Sequence, residues 1–369
     1  MKKILHVVSS LALGGTEAFI MNNYRCLDRK EYQFDFLVFN NEKYPYDDEI
    51  HSLGGKIMYA CFPTINNIHK FNELFDKAIV EGGPYIAVHS HVNIANSIVL
   101  SAAKKAGIRI RVSHSHDTGL EEKNLLKILY TNYRKHIIKK SATKIVACSQ
   151  IAGEYLYGKK YFNNNGIVLK NGIDVSKFIE IDEKAKNNLR KEFNINQTDM
   201  VFGNITRFEE KKNTMFTLRL FKRIIEKQPN AVLILGGPDG GLYETAQKYV
   251  KENNLSKYVR FIGERSDVNI CLSLIDGYIF PSLYEGFGIV VLEAQASGCV
   301  CFCADNISKE IDVGLGLINY ISIESPDMVD VQDIIDKTKK IYRGDVHEAF
   351  RKKGYSIVDT HKSLMQLYN

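Results

Sequence analysis

No run of about 18 apolar residues occurs anywhere in this chain of 369 residues, so no membrane-spanning helix is expected. Cys-x-x-Cys pairs are also absent, and the seven cysteines have no histidine or further cysteine close enough in sequence to suggest zinc. Cys299, Cys301 and Cys303 alternate, which on a strand puts all three on one face with parallel side chains. That geometry disfavours disulfides along the strand, and the three read as small core hydrophobes of a reduced, cytoplasmic chain. Charge of neither sign dominates. Lys plus Arg number 49 and Asp plus Glu 43, a net +6 that favours anionic partners but is too weak to argue for nucleic acid. The opening Met1–Ser10 has two lysines before an apolar stretch too short for a signal peptide and without a small-residue cleavage site, so it reads as a buried strand. No short repeat or low-complexity segment is found.

What is present is an α/β grammar. Hydrophobic residues at 45% and charged ones at 25% belong to an ordinary soluble globular protein, and the length suggests two domains. Short apolar runs at Lys3–Ser9, Gln33–Phe39, Lys56–Ala60, Tyr85–Ser90, Arg109–Ser115, Thr143–Cys148 and Gly166–Leu169 alternate with helical patterns, the last two of which are Lys123–Lys140 and Gln150–Leu156. The grammar restarts at Asp199–Ile205 and continues through Ala231–Leu235, Tyr258–Ile262, Gly277–Phe280 and Val300–Cys303, with helices such as Thr214–Lys227, Ile289–Ala296 and Asp330–Tyr342. Such alternation predicts two Rossmann-like, doubly wound parallel sheets. The break falls at Asn171-Gly172-Ile173-Asp174, giving domains at 1–172 and 173–345. A last helix over about 346–369 is expected to pack back on the first domain. Ligands of such domains bind outside the carboxyl ends of the strands, so a cleft between the two is the expected site.

Several strand ends carry chemistry. After the first strand comes Gly14-Gly15-Thr16-Glu17, where paired glycines let a ligand approach the backbone and a helix start offers N–H groups to an anion. It lacks the Gly-x-Gly-x-x-Gly dinucleotide spacing. His89, His91, His114 and His116 cluster at two strand ends. At least two of them are expected to be buried and bonded to backbone, and His116 is the one placed to face a cleft. In the second half, Thr206-Arg207-Phe208-Glu209-Glu210-Lys211-Lys212-Asn213 sets cations beside a helix start, which prefers anions; a planar fork and a point charge suit a diphosphate. Leu235-Gly236-Gly237 is another glycine-rich strand end. In Pro281–Ala294 a strand leads through Glu285-Gly286-Phe287-Gly288 into a helix from Ile289 that contains Glu293. Carboxylates there accept from hydroxyl pairs, such as those of sugars or ribose.

The Glu285-x7-Glu293 spacing in PSLYEGFGIVVLEAQASG, with TRFEEKKN at 206–213 and GGTE at 14–17, resembles the family-four retaining glycosyltransferases of the GT-B fold. HSH at 89–91, SHSHD at 113–117, NGID at 171–174 and FIGERSDV at 261–268 are further matches, and the opening segment is most similar to the subgroup that builds bacterial capsule and exopolysaccharide. The resemblance runs from about residue 4 to the last helix. It departs from many relatives at Thr206, where they have Gly, and from the subgroup's frequent Gly-Leu-Pro at Gly286-Phe287-Gly288.

The resemblance implies a retaining hexosyltransferase in which Arg207 and Lys212 bind the donor diphosphate and Glu293 holds the nucleotide ribose. Glu285 would contact the donor sugar, and the Phe287–Gly288 and neighbouring Gly286 and Ile289 backbone the sugar or phosphate. Gly14 and Gly15 would approach the diphosphate, His116 would bond the sugar near the anomeric centre, and Gly236, Arg265 and Val268 would line the nucleotide. The donor would be a nucleotide-diphosphate sugar, a UDP-sugar first, and the acceptor a saccharide or lipid-diphosphate-linked glycan. No Asp-x-Asp metal motif occurs, so no metal and no further cofactor is expected. Between Lys104 and Lys140 there are ten Lys or Arg against three Asp or Glu, a basic region suited to anionic lipid at the inner membrane face. A sugar-nucleotide 2-epimerase of the same fold is the alternative.

Overall fold

Strands that are apolar along their whole length need cover on both faces, which parallel sheets flanked by helices supply. In the computed structural model, which describes residues 1–119, 124–339 and 344–369, both halves of the chain meet that need. The starts and ends predicted at Lys123 and Tyr342 lie outside the described residues.

Contacts divide the chain into two units, Met1–Gly172 with Ile357–Asn369, and Ile173–Ser356. In the first, β1 (Lys2–Val7), β2 (Tyr32–Val38), β3 (Ile57–Tyr59), β4 (Tyr85–Ser90), β5 (Ile110–Ser115), β6 (Lys144–Ala147) and β7 (Gly166–Val168) pair in parallel in the order β3-β2-β1-β4-β5-β6-β7. Side chains alternate across this sheet. Leu5, Val7 and Val88 enter one core layer with Phe71 and Phe75, while Ile4, Val8, Ala87 and Val112 enter the other with Phe19, Phe34 and Phe36.

The second unit repeats the design with β8 (Met200–Ile205), β9 (Ala231–Gly236), β10 (Val259–Gly263), β11 (Gly277–Phe280), β12 (Val300–Ala304) and β13 (Ile318–Ile321), in the order β10-β9-β8-β11-β12-β13. In each unit the winding reverses at a central pair of strands, β1 and β4 in the first and β8 and β11 in the second. Their carboxyl ends are therefore where a ligand crevice opens.

The chain's last segment differs from the single expected helix. It breaks into Val346–Lys352 and Ile357–Met365, because Gly354 takes a left-handed φ of +70° that ends the first. Only the part from Ile357 joins the first unit, where Leu364, Leu367 and Tyr368 enter the Phe19 layer. The polar stretch after Asn171 is not a simple linker either. It forms helices Ser176–Ile179 and Glu183–Glu192, the latter capped by Asp182, whose side chain accepts from the Lys184 N–H. Glu183–Glu192 buries only Leu189, too little apolar periodicity to read from sequence. The three cysteines of the Cys299–Cys303 run are all buried and free, and burial pushes their thiols up.

Candidate functional site

The loop after β8 is held in place from two sides. Thr206 donates its N–H to Gly236 at 2.8 Å and its hydroxyl to Asn204 at 2.8 Å. Phe208 and the loop after β9 then exchange bonds, Phe208 N–H to Pro238 at 2.9 Å and Gly240 N–H back to Phe208 at 3.1 Å. Gly237 is needed for this approach: its φ is +129° and a Cβ there would sit 2.2 Å from the Thr206 carbonyl. Gly236 has a packing reason of its own, since a Cβ would press on Ile262 at 2.7 Å. Arg207 rides on this frame half-buried, and among the described residues its guanidinium has no hydrogen bond or ion pair.

Farther along, the loop meets the one after β11. Leu283 donates its N–H to the Lys211 carbonyl at 2.8 Å, and the Asn213 side chain donates to the Pro281 carbonyl at 3.2 Å. Asn213 stands at φ +54°, a left-handed turn that asparagine tolerates, and leads into the helix Thr214–Lys227. This places the Lys212 ammonium to donate to a Glu285 carboxylate oxygen, with side chains 16% and 8% exposed. The ammonium also lies 5.6 Å from the Phe280 ring centre. An ion pair so little exposed is held by its neighbours, because neither charge can return to water.

The segment Gly286–Gly288 turns the chain from Glu285 into the helix Ile289–Ala296. Gly288 has φ +91°, and a Cβ would touch Phe280 at 3.2 Å. Phe287 points inward, 2% exposed and 5.3 Å from Tyr355. Only the backbone of this turn is available to a ligand, and the first N–H groups of the Ile289–Ala296 helix have no partner within it. Glu293 lies in the second turn of that helix, and burial lifts its carboxyl to about 7. Arg265 is already engaged: it donates to Asp267 at 2.7 and 2.8 Å and to Glu192 at 2.7 Å. Its guanidinium therefore fixes the turn into the helix that starts at Val268. Among the described residues, this unit offers an unpaired guanidinium, a paired ammonium and a helix start for an anion. The carboxylates of Glu285, on that ammonium, and of Glu293, within that helix, suit hydroxyl pairs.

Within the first unit itself, the expected residues are Gly14, Gly15 and His116. Gly14 caps the helix Gly15–Arg25, and Glu17 covers it closely enough that a Cβ would lie 2.5 Å from a carboxylate oxygen. Phe19 of the same helix has its ring 5.6 Å from that of His116, so the glycine turn and His116 share one end of the sheet. Among the described residues the histidine rings bond to one another and to Tyr368, not to backbone as expected for at least two of them. His6 Nδ1 and His91 Nε2 are 3.0 Å apart, and His91 Nδ1 and His116 Nε2 2.8 Å. His89 Nε2 meets His114 Nδ1 at 3.1 Å, and its Nδ1 meets the Tyr368 hydroxyl at 2.6 Å. Burial pushes all five imidazoles down, His6 and His116 to about 3.

Two overlapping sets, His6–His89–His91 and His91–His114–His116, bring a nitrogen from each member within 4.8 Å. Neither set includes a carboxylate to offset a cation, and the mutual hydrogen bonds account for the convergence. Sequence reasoning missed His6. The signal was its place in a first strand whose register pairs it with His89.

Known proteins show the same two halves. Residues 13–177 match the family model Glycosyltransferase Family 4, and residues 185–355 match Glycosyl transferases group 1. EpsF of Bacillus subtilis (strain 168), itself a candidate glycosyltransferase, is 33% identical over 375 residues, covering 100% of this chain and 96% of EpsF. The chain belongs to this glycosyltransferase family. The capsular polysaccharide biosynthesis glycosyltransferase CapH of Staphylococcus aureus is 25% identical, over 85% of this glycosyltransferase and 84% of CapH. The Escherichia coli UDP-Gal:alpha-D-GlcNAc-diphosphoundecaprenol alpha-1,3-galactosyltransferase is 24% identical, over 82% and 79%. Among solved structures, Anabaena Alr3699/HepE in complex with UDP-glucose superposes with a TM-score of 0.81 at 18% identity, covering 99% of each chain. That likeness shows the GT-B fold of the glycosyltransferase.

Proposed function

We propose that this glycosyltransferase moves a hexosyl group from a UDP-sugar to a growing bacterial surface polysaccharide carried on a lipid diphosphate. Transfer retains the anomeric configuration and uses no metal. The observation that carries the reading is the tie between the loops after β8 and β11, which sets Lys212 against Glu285 on the same frame as Arg207, unpaired among the described residues. The names of the relatives support the substrate class, since CapH acts in capsular polysaccharide biosynthesis and the Escherichia coli relative uses UDP-Gal and a diphosphoundecaprenol acceptor.

In the reaction, the bond from the anomeric carbon to the diphosphate oxygen breaks, and its electrons leave with the oxygen. Arg207 and Lys212 hold the growing charge, each charge-assisted bond contributing roughly 1.5–3 kcal/mol. Without donor, Lys212 is satisfied by Glu285. With donor, the diphosphate draws on the ammonium while Glu285 accepts from a sugar hydroxyl. Glu293 accepts from the ribose diol, and the Gly286–Ile289 backbone donates to sugar or phosphate. The Gly236 strand end and the Arg265–Val268 turn line the nucleotide. Gly14 and Gly15 leave room for the diphosphate, and His116 bonds the sugar. The acceptor hydroxyl attacks on the face that the diphosphate leaves, and its proton passes to the departing phosphate oxygen.

The test starts with thermal shift in UDP-, GDP- and dTDP-sugars in the presence of a chelator. A UDP-sugar at 100 times its Kd adds about 2.7 kcal/mol to folding stability, and proton NMR of the product from that donor and a lipid-diphosphate glycan reads the anomer. No stabilisation by any UDP-sugar, or an inverted product, overturns the reading. Turnover of the donor sugar without acceptor would point to the epimerase.

We also propose that the helix Leu125–Ser141 rests on anionic lipid. No described helix is long and apolar enough to cross a membrane. This one, however, exposes Leu125, Leu126, Leu129 and Tyr133 at 69, 78, 59 and 63% among its basic residues. Apolar side chains inserting while lysines meet headgroups is the signature of an interfacial helix. The protein should pellet with phosphatidylglycerol vesicles at low salt and release as salt rises, and Leu126→Asp with Leu129→Asp should abolish pelleting. Equal pelleting with neutral vesicles, or none with anionic ones, overturns it.

A further inference from the structure

Parallel register is what assembles the histidines of the first unit. His6 pairs with His89 across β1 and β4, and His89 with Val112 across β4 and β5. Because side chains alternate along a strand, His91, His114 and His116 then point to the same face as His6 and His89. The rings follow one another, His6 stacked on His91 with centroids 5.3 Å apart and His91 tilted against His116 at 5.0 Å.

His6, His91 and His116 form one hydrogen-bonded line. Each is neutral in this surrounding, so three imidazoles carry three ring protons. Two protons occupy the two N···N links, and the third must sit at one end: on His6 Nε2 at the inner end or on His116 Nδ1 at the outer end. His6 Nε2 is buried with no partner among the described residues, and the centre of its ring lies 4.4 Å from that of Phe34 and 5.9 Å from that of Phe36. A buried N–H without an acceptor is among the rarest defects in proteins, while an unfilled acceptor is tolerated more often. His116 is half-buried, and a proton on its outer nitrogen can meet a hydroxyl oxygen or water.

We infer that His6 and His91 are positioning residues that lock His116 as the Nδ1–H tautomer, so that it meets its ligand as a hydrogen-bond donor and not as a base. His6 Nδ1–H donates to His91 Nε2, and His91 Nδ1–H donates to His116 Nε2. Because Nε2 of His116 is occupied by the link and Nδ1 by the proton, no lone pair remains to take a proton from an acceptor hydroxyl. The inference rests on the proposed contact between His116 and a sugar only for its consequence. The tautomer itself is a property of the unliganded protein.

The test is long-range proton–nitrogen NMR on full-length protein labelled with 15N-histidine, the His116 signals being assigned by their loss in His116→Gln. The expected result is one species with the proton on Nδ1 at His116, His91 and His6 alike. In His91→Phe the link is gone, and His116 should become a mixture of the two tautomers. Nε2–H at His116 in the wild-type protein, or a mixture there, overturns the inference. If His91→Phe does not fold, the wild-type spectrum still decides. The wild-type rate in His116→Gln would instead overturn the sugar contact and leave the tautomer result standing.

Discussion

Arg207→Ala lowers turnover by about tenfold to a few hundredfold, the loss of one charge-assisted bond to the leaving diphosphate, while folding stability stays within about 0.5 kcal/mol. The separation follows from Arg207 making no side-chain hydrogen bond or ion pair among the described residues. Lys212→Ala should lose a similar factor in turnover but behave differently in stability. Its removal leaves Glu285, only 8% exposed, without its cation, and an uncompensated, largely buried carboxylate costs about 1–3 kcal/mol. The double variant Lys212→Ala with Glu285→Gln should recover most of that stability and none of the rate. Steady-state kinetics and urea melts of the four proteins read both quantities. Wild-type turnover in either single variant would remove the phosphate assignment, and an unchanged melt in Lys212→Ala would show that the pair is not closed in solution.

Glu293→Gln raises the donor KM about tenfold to a few hundredfold at pH 8, because a carboxylate that accepts from a ribose diol makes charged bonds an amide cannot match. The pH profile is the sharper readout. Burial lifts Glu293 to about 7 from an ordinary value near 4.5, so the folded state holds its proton where the unfolded chain has released it. That proton contributes stability that is present at low pH and lost as pH rises through about 7. Donor binding has the opposite slope, since the ionised form accepts from the diol. With a pKa near 7 the ionised fraction grows about tenfold from pH 6 to pH 8, and the donor KM should fall by about that factor. A sugar nucleotide has no group of its own titrating in this window, and the Glu293→Gln profile should be flat. A flat profile in the wild type, or the same slope in the variant, would exclude Glu293 as the ribose acceptor.

The strand ends were legible because each rests on a local pattern. Apolar runs give strands, glycine after a strand gives a turn, and the residues after β8 and β11 follow from counting. His89 and His91 alternate, as do His114 and His116, and alternation alone places each pair on one face. Other elements were not legible for equally local reasons. β13 is a four-residue edge strand, and the helices after Asn171 bury almost nothing. The break at Gly354 interrupts a pattern that otherwise reads as one helix, and a glycine near a helix end does not announce whether it terminates or is tolerated.

By itself, the sequence determined the α/β architecture of both units and which residue types stand at the carboxyl ends of the central strands. Backbone alternation and turn chemistry act over a few residues, and a string of letters contains them. Only the tertiary structure decided the state of those residues. It closed Lys212 on Glu285, separated by 73 positions, committed Arg265 to Asp267 and Glu192, and left Arg207 without such a partner among the described residues. It raised Glu293 to about 7 and joined His6 to His91, 85 residues away. Charge state, pairing and tautomer depend on how much water a group loses and which distant groups replace it, and packing alone sets both.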